Sequence, residues 1–244
     1  MQELKIKSFW MTDKLSFETY LSLSHKKFEI YLLDKKNLKN IYKEEVYLKN
    51  GSDLFDLNLL NSFLDKNIYK IEKLIGKFLR GIVVVIENDQ TLNCSIGIKK
   101  KSYGEKITKH YLESSLTELK DLFKENYHNR KIMHFIVNRC LIDGINYSSF
   151  DKEIDGEDMY IEVIFISVSN ILIKEVSNEL EKYQIKIDRL FEKKYIKNLF
   201  EGEDLDLSLI AFKVQSGHNH KEITLVPKNL KKTGFFEKFF QLFS

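Results

Sequence analysis

The chain has 244 residues, 43% hydrophobic and 31% charged, which is enough for one large domain or two small ones around a substantial core. Such a composition excludes a disordered chain, and a net charge of +3 excludes nucleic acid as the expected partner. No run reaches the ~18 apolar residues of a membrane-spanning helix. The opening MQELKIKSFWM has no secretory apolar region, so a cytoplasmic protein is expected. Cys94 and Cys140 lack zinc spacing and disulfide context and read as core thiols.

In chain order, residues 1–16 read as a lead-in. Three strands follow, at Tyr20–Leu23, Phe28–Leu33 and Lys39–Leu48, joined by short polar turns as in a meander. After the turn at Asn50-Gly51-Ser52-Asp53, the apolar residues Leu57, Leu60, Leu64, Ile68, Ile71, Ile75 and Phe78 recur at three- and four-residue steps and predict a long amphipathic helix that ends at Gly81. The continuous run Ile82–Ile86 predicts a strand buried on both faces.

A smaller unit comes next. It comprises a strand at Asn93–Ile98, a helix over 107–125 with Leu112, Leu116, Leu119 and Phe123 as its stripe, and two strands, Lys131–Asp143 and Met159–Ser167, separated by a charged connector at 150–158. In the first of these two strands, alternation puts Met133, Phe135 and Val137 on one face and His134, Ile136 and Asn138 on the other. A helix over 170–183, a strand at 185–191 and a short helix at 194–200 return to the larger unit. The element order is βββαβ…αβα, with a strand–helix–strand–strand unit inserted after the fourth strand. That is the order of a ribonuclease H-like half of an actin-type protein, an α/β fold with an α+β insert. The expected boundaries are 17–88 and 168–200 for the core, 89–167 for the insert, 201–233 for a linker in which Leu207–Gln215 reads as a short strand, and 234–244 for a terminal helix.

Few residues suggest chemistry. Tyr20–Phe28 stands where actin-type ATPases carry their first phosphate loop, yet the stretch has neither the Asp that organises a metal nor the Gly that lets backbone amides approach phosphate. Lys26 and Lys27 read as a solvated turn. His218 and His220 lack a third metal ligand, His134 reads as a packed, hydrogen-bonded ring, and Cys140 has no base at catalytic spacing. No catalytic residue, metal or cofactor is expected. The C-terminus differs: on a helix, Phe235, Phe236, Phe239, Phe240, Leu242 and Phe243 form a broad aromatic face, with Lys231 and Lys232 upstream and Lys238 on the polar side. This pattern predicts reversible binding to an anionic membrane surface.

Several stretches resemble FtsA, the actin-like bacterial protein that tethers the cell-division ring to the membrane. Ile132–Asp143, IMHFIVNRCLID, resembles that family's "VLHVIPQ-Y-ID" strand, with Val137 and Asn138 in place of Pro and Gln. Ile161–Ser167 resembles its "KVHLIT" strand, and Glu179–Leu190 resembles "AVERCGLKVDQL". Leu21–Phe28 falls where the family reads "LDIGTSKV", with Ser22 for the Asp and Ser24 for the Gly, and GFFEKFF is similar to its membrane anchor. The resemblance covers most of 19–200 plus the tail and implies a reduced FtsA: one core subdomain, the inserted 1C-like subdomain and the anchor. It further implies a non-enzymatic adaptor on the cytoplasmic face of the inner membrane, at the division site. The partners would be division proteins or a second copy, docked through the insert, with FtsZ reached indirectly. A pilus-assembly or cell-shape scaffold of the same superfamily is the alternative, and a remnant ATPase is disfavoured by the degraded loop.

Overall fold

A computed structural model describes residues 16–48, 56–147 and 153–223. Its larger sheet contains β1 (Phe17–Leu23), β2 (Lys27–Asp34), β3 (Lys39–Tyr47), β4 (Gly81–Ile86) and, after the insert, β9 (Lys186–Glu192), in the order β3-β2-β1-β4-β9. β2 runs against both its neighbours, while β1, β4 and β9 are parallel. This order, with only the second strand reversed, is the ribonuclease H-like arrangement. β4 sits inside the parallel run, which is why its sequence is apolar throughout: Ile82, Val84 and Ile86 enter the core on one face, and Val83 and Val85 the core on the other.

Helix α1 (Leu57–Ile75) packs on the first face through Leu60, Phe63, Leu64, Ile68 and Ile71. Asp56 starts it by accepting the Leu59 amide at 2.9 Å. Its end differs from the expectation: Gly76, at φ +68°, gives the left-handed stop, and its N–H reaches the Glu72 carbonyl. Gly81 instead opens β4, where a Cβ would lie 2.0 Å from the Asp188 carboxylate. Phe78 therefore lies outside the helical stripe and is 72% exposed.

The insert holds β5 (Leu92–Lys101), α2 (Lys109–Asn126), β6 (Arg130–Ile142), the short β7 (Ile145–Asn146), which the sequence reading did not anticipate, and β8 (Asp158–Ser169). Its strands form an antiparallel sheet in the order β5-β8-β6-β7. α2 covers one face, and Phe165 stacks between Phe123 at 4.6 Å and Phe135 at 4.7 Å. β6 does not alternate simply. Its register shifts between Ile132 and His134, so Met133 joins the core of the larger sheet while Phe135 joins the core under α2. Met133, Ile136, Ile166 and Val168 pack in the same cluster as α1 and β4, making one core across both sheets.

β8 runs directly into α3 (Asn170–Glu181), which leads to β9 and the short α4 (Lys193–Asn198). The expected linker is folded across 201–223, its described part. Leu207–Gln215 forms helix α5, not a strand. Leu207, Ile210, Ala211 and Val214 fall at helical spacing and close the second face of the larger sheet with Tyr20, Tyr31, Val83 and Phe191. β-forming side chains there gave way to a face that needed a cover.

Candidate functional site

Ligands of open α/β sheets bind outside the carboxyl ends of the parallel strands. Here that edge is built from the β1–β2 turn, the residues after β4 and the start of α4. The turn is closed on itself. The Ser24 hydroxyl accepts from the Lys27 amide at 3.2 Å and donates to the Lys27 carbonyl at 2.9 Å. Backbone amides that a phosphate loop would offer to its ligand are thus engaged by a side chain. Ser22 is buried, and its Oγ has no hydrogen-bond partner. His25 lies 4.0 Å from Asp89.

Two carboxylates meet behind the turn. Glu29, paired across from Ser22, is buried and accepts from the Tyr31 hydroxyl at 2.8 Å. Glu87 follows β4. Between them stands an ammonium: Lys193 Nζ is 3.1 Å from Glu87 and 3.7 Å from Glu29. Lys27 completes the cluster, 2.8 Å from Glu29 and 2.7 Å from Glu45. A lysine ammonium therefore fills the space between the two acids. Among the described residues, no group of three or more His, Cys, Asp or Glu could hold a metal. Beside the cluster opens a cavity of about 570 Å³, lined by Glu87, Lys193, Lys197, Phe200 and Glu203 among others, so its charges are mixed.

Burial by itself raises the Glu29 carboxyl, but hydrogen bonds from Lys27 and Tyr31 and the Lys193 charge outweigh it and hold the group below its ordinary 4.5. A depressed folded value means that the stabilisation is complete above about 4.5 and is lost as pH falls through that lower value. The expected result is a melting temperature insensitive to Glu29 from neutrality to about pH 5 and falling below about pH 4.5. In Glu29→Gln the acid-side fall should be shallower, and an unchanged profile would refute the assignment.

A second buried polar cluster joins insert, core and C-terminal segment. The His134 ring accepts the Glu192 amide at Nε2 (2.8 Å), which puts its proton on Nδ1, where it donates to Glu222 at 2.7 Å. The Tyr195 hydroxyl donates to the other Glu222 oxygen at 3.1 Å, and Asn219 donates to Tyr195 at 2.8 Å. The backbone follows: the Val137 amide donates to the Lys221 carbonyl and the Ile223 amide to the Phe135 carbonyl, so residues 221–223 add a short antiparallel segment to β6. His134 is the packed ring expected from the sequence; its carboxylate partner, 88 residues away, was not visible there.

Burial pushes the Cys140 thiol up to about 12, which leaves it protonated and unreactive at neutral pH. The His218 ring lies tilted against Phe200, with ring centroids 4.2 Å apart. The membrane-facing residues read from the sequence, Phe235, Phe236, Phe239, Phe240, Leu242, Phe243, Lys231, Lys232 and Lys238, lie outside the described residues. Among the described residues, no helix is long and apolar enough to cross a membrane.

No family model matches the sequence, and no curated protein matches it. Among solved structures, the chain is similar to a PilM–PilN type IV pilus biogenesis complex, at 12% identity over 75% of this chain and 50% of that one, with a TM-score of 0.47. It is also similar to the cytoplasmic domain of EpsL, an inner membrane component of the type II secretion system of Vibrio cholerae (11% identity, 74% and 57% covered, TM-score 0.36). A Bacteroides thetaiotaomicron protein with an actin-like ATPase fold shows 14% identity, with 75% and 55% covered and a TM-score of 0.34. The chain spans about half the length of these structures, at 50%, 57% and 55%. The ribonuclease H-like half with its insert rests on the strand order and directions of the sheet itself.

Proposed function

We propose that this protein is a non-enzymatic adaptor of a membrane-associated assembly, which docks partners through the inserted unit and is held at the membrane by its terminal aromatic segment. The observation that carries the reading is the Lys193 ammonium between Glu29 and Glu87, which neutralises the edge where a nucleotide-bound cation would sit. Docking through the insert is supported by its outer sheet face. There Glu162 accepts from Asn138, from Ser95 at 3.1 Å and from Tyr160 at 2.9 Å, and the Tyr160 ring lies over Gly97. The resemblance of Ile132–Asp143 and of GFFEKFF to FtsA supports the division machinery as the assembly. A pilus-assembly or cell-shape scaffold is the second reading, compatible with the same core and inserted unit.

A fluorescent fusion separates the two readings. A midcell band that becomes diffuse on deletion of Gly234–Ser244 supports the division adaptor; a membrane signal away from midcell supports the second; a diffuse signal in both forms sinks the membrane reading. A fluorescent ATP analogue is expected to show no saturable binding at micromolar concentration, and binding there would overturn the non-enzymatic assignment.

A further inference from the structure

One end of the larger sheet carries a basic and apolar rim. The exposed end of α1 and the residues after it present Lys73, Leu74, Lys77, Phe78 and Arg80, with Leu74 52% and Phe78 72% exposed. The Arg80 guanidinium lies 5.6 Å from the Phe78 ring centroid, and its Nη1 donates to Gln184 at 2.9 Å. Lys186, exposed at the start of β9, donates its amide to the Arg80 carbonyl at 3.0 Å. The acids at this end are partly engaged: Glu18 accepts from Gln215 at 3.0 Å, and Glu179 pairs with Lys182 at 2.6 Å. Glu72 accepts the Leu79 amide at 2.9 Å; Glu181 is exposed; and burial, then the Glu18 charge, keeps the Asp188 carboxyl above its usual range.

The last described residues lie at the same end. Residues 221–223 run antiparallel to β6, with Ile223 paired nearer the Lys131 end of that strand than Lys221 is. Lys131, Ile132, Ile185, Lys186 and Ile223 line one cavity of about 460 Å³, which puts Ile223 beside the start of β9, whose Lys186 amide bonds to the Arg80 carbonyl. Ten residues, 224–233, separate Ile223 from the aromatic stretch and span at most about 35 Å when extended.

We infer that the rim formed by Lys73, Lys77, Phe78 and Arg80 is a second contact with an anionic lipid surface, orienting the protein with the amino ends of its parallel strands toward the membrane. The inference rests on the reading that the terminal segment binds membrane. An exposed aromatic flanked by cations suits an interface whose headgroups are anionic and whose boundary with the acyl region accepts aromatic rings. Two weak contacts on one chain reinforce each other, because the first raises the effective concentration of the second.

The test is co-sedimentation of the full chain with vesicles of phosphatidylcholine and phosphatidylglycerol. Lys77→Glu/Arg80→Glu is expected to weaken partitioning at least about tenfold. Phe78→Ser should also weaken it, and Lys99→Glu/Lys101→Glu at the far end of the insert should leave it within about twofold of the parent chain. All these side chains are exposed, so far-UV circular dichroism should be unchanged. If the rim variants sediment like the parent while deletion of 234–244 abolishes sedimentation, the inference is wrong and the membrane reading stands. If the parent chain does not sediment, both fall.

Discussion

Lys193→Ala is expected to lower the stability of the folded chain by about 3 kcal/mol and its melting temperature by roughly 6–12 °C. Lys193 is 13% exposed and serves two carboxylates, Glu29 at 6% exposure and Glu87 at 34%. Removing one partner of a buried ion pair costs about 3–5 kcal/mol because the remaining charge stays out of water. The low end of that range applies because Lys27 and Tyr31 still serve Glu29. Lys193→Met keeps most of the stem and removes the charge, so it should cost nearly as much. A loss under about 1 kcal/mol in urea unfolding would show that the ammonium is not needed. The same variant tests the reading of the site. With the ammonium gone, a millimolar divalent cation should raise the melting temperature of Lys193→Ala and leave that of the parent chain unchanged.

Glu222→Ala is expected to cost about 2–4 kcal/mol, since each buried donor left without an acceptor costs about 1–3 kcal/mol. Two donors lose theirs, His134 Nδ1–H and the Tyr195 hydroxyl, and His134 cannot turn away because its Nε2 holds the Glu192 amide. The carboxylate also anchors the segment whose backbone pairs with β6, so trypsin should cut after Lys221 faster in the variant than in the parent chain. Glu222→Gln keeps one acceptor oxygen and should lose less than half as much stability. An unchanged melting temperature together with an unchanged tryptic pattern in Glu222→Ala would mean that the cluster does not hold the segment.

The architecture was legible wherever local pattern and burial agree. The stripe of α1 and the continuous apolar run of β4 each announce their element, and their order announces the ribonuclease H-like half with its insert. Reading failed where tertiary demand overrode local preference. Leu207–Gln215 is rich in strand-forming side chains, yet the uncovered face behind Tyr20 and Phe191 required a helix. Gly81 looked like a helix stop because glycine ends helices, but its lack of a Cβ serves the Asp188 carboxylate, a neighbour 107 positions away.

By itself, then, the sequence determined the order of the elements through α4 apart from β7, the two buried faces of β4 and the packed state of His134. These follow from side-chain periodicity and from residue chemistry at single positions, both of which are local. Only the tertiary structure decided that Lys193 stands between Glu29 and Glu87, that Glu222 closes on His134, and that 201–223 is folded rather than a linker. Each of these depends on residues far apart in the chain, and charged or polar side chains give no periodic signal of the partner they will meet once water is excluded.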